Sequence, residues 1–185
     1  IIFVHSYERA DCLAIVDAQG KNFPVKLAHG ADFYMQPVWH PNGQYVAWIE
    51  WKHPQMPWDG TRLMIARLEG MSLTDIRCLT GDANTPIFQP GFSPDGRYMS
   101  YIAQDGEWDR LYAVDLTSGK KRALASDAAL MSPAWVQGIR TYAWSSDATH
   151  LFFLRNDQGV RSLCSVEAAT GSAQKLDATP YTWMD

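Results

Sequence analysis

Helical periodicity is almost absent from this 185-residue sequence, and only "SDAALM" (126–131) could begin a helical turn. No apolar run approaches the ~20 residues that span a bilayer, so no membrane segment is expected. The opening "IIFVHSYERAD" is too short and wrongly charged for a signal peptide. It also lacks an initiator Met and starts inside an apolar run, from which an upstream part is expected. Cys12, Cys78 and Cys164 are odd in number, far apart and outside CxxC spacing. That argues against a disulfide framework or a structural zinc, and for a reducing, cytoplasmic setting. The formal net charge is −4 with both signs scattered. No basic stripe exists to release counterions from nucleic acid, so no nucleic-acid partner is expected.

The usual signatures of chemistry are missing as well. His5, His29, His40, His53 and His150 are spread without HxH or HExxH spacing. His53 with Asp59 is the only local pair, and its Pro-rich loop gives no reason for convergence, so neither a metal nor a cofactor is expected. No G-x-S-x-G pentapeptide occurs. "GFSPDG" (91–96) looks nearest, but its Ser93 opens a turn and no helix follows. "GKK" (119–121) lacks the upstream glycine of a phosphate loop. No catalytic residue is expected in this chain by itself.

What the chain does have is aromatic rings, eight Trp and eight Tyr. They stand in short β-branched or aromatic runs divided by Gly and Pro, a pattern of many short strands. The runs repeat. "QPVWHPNGQYVAWIEW" (36–51) aligns with "QPGFSPDGRYMSYIAQ" (89–104), matching Pro37 with Pro90, Trp39 with Phe92, Pro41 with Pro94 and Gly43 with Gly96. "TYAWSSDATHLFFLRN" (141–156) keeps Trp144 and a turn but has lost the Pro and Gly. "DCLAIVDAQG" (11–20), "TRLMIARLEG" (61–70), "DRLYAVDLTSGKKRALA" (109–125) and "RSLCSVEAATGSAQKLD" (161–177) share a second grammar of apolar strand, Gly turn and polar strand. Pro fixes φ at the start of each first turn, and Gly tolerates the positive φ at its end.

Each full unit therefore holds four antiparallel strands, and the expected fold is an all-β propeller of about four blades' worth. The expected blades are 1–28 (partial), 36–80, 88–125 and 140–177, with 181–185 starting another. Either four blades close into a small ring, or the chain is a partial arc of a larger one; the missing termini favour the arc. Trp39, Phe92 and Trp144 are expected to pack between blades. Pro24 is expected in the last strand of the first unit, at an outer edge that tolerates a missing donor.

Trp58-Asp59 and Trp108-Asp109 match WD40 in letters only, because WD40 places the pair at the end of the third strand. Both pairs here are expected in the loop before that strand, bracing the turn into it, with Asp11 in the same relation to "CLAIVD".

The stretch "DFYMQPVWHPNGQYVAWIEWKHPQMPWDGTRLMIARL" (32–68) resembles a blade in the N-terminal propeller of the prolyl oligopeptidase family, in its acylaminoacyl-peptidase and dipeptidyl-aminopeptidase branch. The pattern there runs as an aromatic, "SPDG", "AW", then "W-x-H-P-x-M-P-W-D" before "L". Trp51, His53, Pro54, Met56, Pro57, Trp58 and Asp59 match it. "IFQPGFSPDGRYMSYIAQDGEWDRLYAVDL" (87–116) and "PAWVQGIRTYAW" (133–144) resemble the blades that follow. The departures are "HPNG" at 40–43 and the eroded turn at 145–148. "SPDG" alone is shared with TolB-like propellers generally.

The resemblance implies a seven- or eight-bladed propeller set on a C-terminal α/β-hydrolase domain carrying Ser, Asp and His, with the propeller gating access of peptide substrate to a serine peptidase site. That hydrolase domain is a partner expected in the same parent chain. A stand-alone TolB-like propeller acting as a protein-binding scaffold is the alternative. A sugar-cleaving propeller would need carboxylate pairs on the innermost strands, and "QPVWH", "QPGFS" and "TYAWS" offer none. The candidate substrate- or domain-facing loop is 51–60, with Trp51, His53, Met56, Trp58 and Asp59. The competing view makes it a rigid plug packing Trp51 and Trp58 between blades, and its two prolines lower the entropy cost of order in either case.

Overall fold

The computed structural model describes residues 1–8, 10–131 and 138–177. Fifteen strands and no helix occur among them. The chain forms two compact units, Ile1–Pro90 and Gly91–Asp185. The expected strand start at 181–185 and residues 133–137 of the "PAWVQGIRTYAW" stretch lie outside the described residues.

In the first unit, β1 (Ile2–Tyr7), β2 (Ala10–Ile15) and β3 (Val25–Ala28) make a three-stranded sheet in chain order. A four-stranded sheet follows, of β4 (Phe33–Trp39), β5 (Tyr45–Trp51), β6 (Arg62–Glu69) and β7 (Ser72–Gly81). The strand β8 (Ile87–Phe92) crosses into the second unit and opens the sheet completed by β9 (Tyr98–Asp105), β10 (Trp108–Asp115) and β11 (Lys121–Ala128). The last sheet is β12 (Tyr142–Trp144), β13 (His150–Asp157), β14 (Val160–Glu167) and β15 (Ala173–Lys175). Each sheet is an antiparallel meander in simple sequential order, the strand arrangement of a propeller blade.

The turns form where the repeat places them. In the β4–β5 turn the Gly43 N–H donates to the His40 carbonyl, and the Asn42 N–H donates to His40 Nδ1. In the β8–β9 turn the Gly96 N–H donates to the Ser93 carbonyl. Gly43 and Gly96 sit at φ +70° and +74°, and in the eroded copy Ala148 takes the same place at φ +58°. Only the glycines reach that region without a steric penalty, which for other residues is roughly 1–2 kcal/mol. The Ser145 and Thr149 hydroxyls both donate to Asp147 and offset the loss. Those two bonds hold the Asp147 carboxyl down at about 2. In the preceding blade, Asp115 is likewise held at about 2, by the Ser118 N–H and the Arg97 guanidinium.

Alternation then decides the core. In the first unit Leu13, Ile15, Leu27 and Ala28 of one sheet meet Tyr34, Val46, Trp48 and Ala66 of the next. In the second, Leu111, Ala113 and Leu124 meet Leu151, Phe153 and Val166. Fully burying such a side chain contributes ~1.5–3 kcal/mol, and neither sheet of a pair achieves it alone.

At the seam of the second unit Trp144 stacks on Tyr98, with ring centroids 5.9 Å apart. Its indole N–H donates to Ser100 Oγ at 2.8 Å, and that oxygen also lies 3.0 Å from the Tyr142 hydroxyl and donates to the Gly91 carbonyl at 2.9 Å. Burial pushes the Tyr142 phenol up to about 12. Trp144 thus packs between blades as expected. Trp39 does not: it lacks such a stacking partner among the described residues and stays 42% exposed.

Two local expectations fail. The segment 126–131 starts no helix, because β11 runs through Ala128 in register with Asp109 and Ala129 bridges Asn156. Pro24 precedes β3 rather than lying in it, since pairing with β2 begins only at Val25.

Ser100→Ala removes at one stroke the acceptor of the Trp144 indole and a partner of the Tyr142 hydroxyl. It is expected to cost about 1–3 kcal/mol in urea denaturation, and Tyr142→Phe clearly less; equal losses would contradict the relay. Asp115→Asn should lower stability at neutral pH. A carboxyl depressed in the folded state stabilises above its ordinary value of 3.8, and that contribution is lost as pH falls through about 2. Melting curves of variant and parent should therefore converge as the pH is lowered towards 2; a constant gap would contradict the assignment.

Candidate functional site

The loop between β5 and β6 is built from backbone hydrogen bonds rather than from a packed core. The Gln55 N–H donates to the Lys52 carbonyl, which closes its first turn. Met56 and Asp59 then brace each other: the Met56 N–H donates to Asp59 Oδ2 at 2.8 Å, and the Asp59 N–H donates to the Met56 carbonyl at 2.9 Å. The His53 N–H donates to Asp32 Oδ2 at 2.9 Å, which ties the loop to the approach to β4. The Trp51 ring stacks on Phe33 with centroids 5.2 Å apart.

Within this frame the candidate residues separate. Trp51 is half-buried in its own blade and Pro57 is buried, while His53 is exposed. Met56 and Trp58 are 44% and 48% exposed. Asp59 serves the loop's own backbone, and His53 is engaged through its N–H with Asp32. No group of three or more metal-ligating side chains occurs among the described residues.

The Trp-Asp pairs do not share a placement. Tyr45 pairs with Arg67 as Tyr98 pairs with Asp115. Counting back six residues from Arg67 and from Asp115 reaches Thr61 and Asp109. Thr61, not Asp59, is thus the counterpart of Asp109, and Trp108-Asp109 lies inside β10 rather than before it. The two counterparts do one job with different chemistry. Thr61 Oγ1 accepts from the Ile87 N–H at 2.7 Å and donates to the Ile87 carbonyl at 3.0 Å. Asp109 Oδ2 accepts from the Leu130 and Met131 N–H groups at 2.8 and 2.9 Å.

Beneath the loop lies a cavity of about 320 Å³, walled by Trp51 and Gln55 of the loop, Thr61, and the charged Glu50, Lys52, Arg62 and Asp82. Its floor is the segment after β7, against which Gly60 is pressed. A Cβ on Gly60 would stand 2.1 Å from the Ala83 carbonyl carbon and 2.2 Å from its oxygen. Glu50 is buried, and its carboxylate accepts from Arg62 Nη2 at 2.7 Å and from the Trp48 indole N–H at 2.8 Å. Asp82 faces the cavity, yet its Oδ1 accepts from the Asn84 N–H at 2.8 Å, the main cause that holds its carboxyl below the usual range. Sequence reading missed Glu50, Arg62 and Asp82. The signal available was Glu50 itself, a carboxylate in the apolar run "YVAWIEW", since such a residue is seldom buried unless paired.

Comparison with known proteins shows what the chain as a whole is similar to. No family profile matches the chain. The chain is 32% identical over 119 residues to dipeptidyl aminopeptidase BIII of Pseudoxanthomonas mexicana, covering 63% of this chain and 16% of that protein. It is 34% identical over 71 residues to the Tol-Pal system protein TolB of Roseobacter denitrificans, covering 38% of this chain and 15% of that protein. Among solved structures, puromycin hydrolase superposes with a TM-score of 0.82 at 26% identity, covering 94% of this chain and 27% of that one. A puromycin-hydrolysing peptidase of Mycobacterium tuberculosis gives a TM-score of 0.78 over the same shares. The chain thus spans about a quarter or less of each of these relatives. The chain resembles the peptidase propeller in sequence and structure, and TolB-like propellers in sequence and fold.

Gly60→Ala is expected to lower stability by about 1–3 kcal/mol, the usual cost of overpacking, because backbone rather than a movable side chain opposes the new methyl. Limited proteolysis should cut the 51–60 loop faster in the variant. An unchanged melting temperature and cleavage rate would contradict the close approach.

Proposed function

We propose that this chain is a non-catalytic propeller segment of a serine peptidase of the prolyl oligopeptidase type, gating access of short peptides to a C-terminal α/β-hydrolase domain of the same parent. One observation carries the proposal. The loop that bears the most specific motif is ordered by its own hydrogen bonds, yet leaves Met56 and Trp58 substantially exposed. A loop that served only as packing would bury its largest side chain. A prebuilt loop that presents an aromatic ring costs little to order when a ligand or a neighbouring domain meets it. The similarity to a dipeptidyl aminopeptidase and to puromycin hydrolase, which has also been solved as a mutant complexed with PGG, supports peptides as the substrate class. Cys12, Cys78 and Cys164 are unpaired, which supports a cytoplasmic setting.

The second reading, a stand-alone TolB-like scaffold that binds protein partners, is favoured by the 34% identity to TolB over 71 residues. It leaves the "HPQMPWDG" loop without an assigned role.

In the intact parent, Trp58→Ala is expected to lower kcat/KM for peptide substrates about tenfold, or ~1.4 kcal/mol of transition-state stabilisation. The melting temperature should hardly move, because the residue is already 48% exposed. An unchanged kcat/KM with a lower melting temperature would contradict the substrate-facing assignment.

A further inference from the structure

We infer that the cavity beneath the 51–60 loop is a receptor for the free carboxylate of a short peptide, with Arg62 as the group that binds it. The choice of a peptide rests on the function proposed above; the choice of a carboxylate rests on which charges in the cavity are already engaged. Four charged side chains line it, Glu50, Lys52, Arg62 and Asp82. Formally they cancel, but their free capacity does not. Both oxygens of Glu50 are used, one by Arg62 and one by Trp48. Asp82 turns an oxygen back onto the Asn84 N–H.

The cations are in the opposite condition. A guanidinium carries five N–H donors in a planar fork, and Glu50 takes one of them, on Nη2. The Lys52 ammonium has no partner among the described residues. Buried Glu50 therefore acts as a positioning residue. It holds the Arg62 head at the cavity wall and leaves the rest of the fork to a planar anion, which a carboxylate matches with two parallel bonds.

The walls favour a peptide acid over a simple inorganic anion. The Gln55 side chain can pair with a peptide group, and the Trp51 ring supplies an apolar surface. About 320 Å³ is at the lower end of ligand-sized pockets, which suits one or two residues. The remaining Asp82 charge penalises a dianion such as phosphate more than a monoanionic carboxylate.

The test is calorimetric titration of the 185-residue chain with N-acetyl-glycyl-alanine, with its C-terminal amide, and with inorganic phosphate. Saturable binding of the acid is expected, with the amide and phosphate each at least about tenfold weaker. Arg62→Gln should abolish the binding. Because that change strips Glu50 of its cation, Arg62→Lys is measured beside it: it keeps a charge for Glu50 but loses the fork, and should still cost most of the preference for acid over amide. Equal binding of acid and amide, phosphate binding as tightly as the acid, no saturable binding, or wild-type preference in Arg62→Lys would each overturn the assignment. Failure here and failure of the gating proposal are separable. If Trp58→Ala leaves turnover unchanged while acid binding persists, only gating is lost; if turnover falls but no acid binds, only the carboxylate site is lost.

Discussion

The double hydrogen bond between the Thr61 hydroxyl and the backbone of Ile87 holds the first unit in its working shape. The residue that leads into a blade's third strand here grips the chain just where it leaves to start another blade. That grip fixes the segment between β7 and β8, and the fixed segment becomes the floor against which Gly60 closes. The loop, its hydrogen-bonded turns and the cavity below follow from that one attachment. In the second unit Asp109 makes the equivalent attachment with a carboxylate, holding the Leu130 and Met131 N–H groups. Hydroxyl and carboxylate share one role there, as acceptors aimed at backbone N–H groups, and the Thr61 hydroxyl adds a bond of its own by donating to the Ile87 carbonyl.

The same constraint explains why the site sits where it does. A blade cannot bury its faces alone, so its strands are committed to packing and little of their surface is open to chemistry. Variation is confined to the connections. The connection from β5 to β6 carries two prolines and Trp58, and it leaves β5 directly after Trp51. It closes over the one strand position in that blade where a carboxylate, Glu50, is sunk into the sheet. Arg62 answers it from the facing strand, directly opposite in register. An ion pair across a ladder, capped by an ordered loop, gives a cationic head with little freedom to move. Preorganisation of that kind is what a receptor group needs.

Much of the architecture was legible in the residues. The repeat of Pro37 with Pro90 and Gly43 with Gly96 encodes turn geometry directly, because few residues satisfy those backbone angles. Alternating apolar runs did the same for the strands. Legibility stopped where an outcome depends on what stands opposite. Trp39 and Trp144 read alike, yet one is exposed and the other stacked, and the difference lies in whether a ring such as Tyr98 faces it. Thr61 and Asp109 do not read alike at all and perform one task, because strand register rather than residue identity makes them equivalent. The "WD" letters misled for the same reason. The loop was recognisable by its motif, whereas the cavity beneath it was not, since Asp82 joins Glu50 and Arg62 only through the return of the chain after β7.

The central claim is that these blades serve a peptidase rather than standing alone. The most direct measurement is the coding sequence downstream of Asp185 in the parent gene. Further blades followed by an α/β-hydrolase domain with a G-x-S-x-G elbow are predicted. A reading frame that ends once the ring is complete, with no such domain, would contradict the claim and leave the scaffold reading in its place.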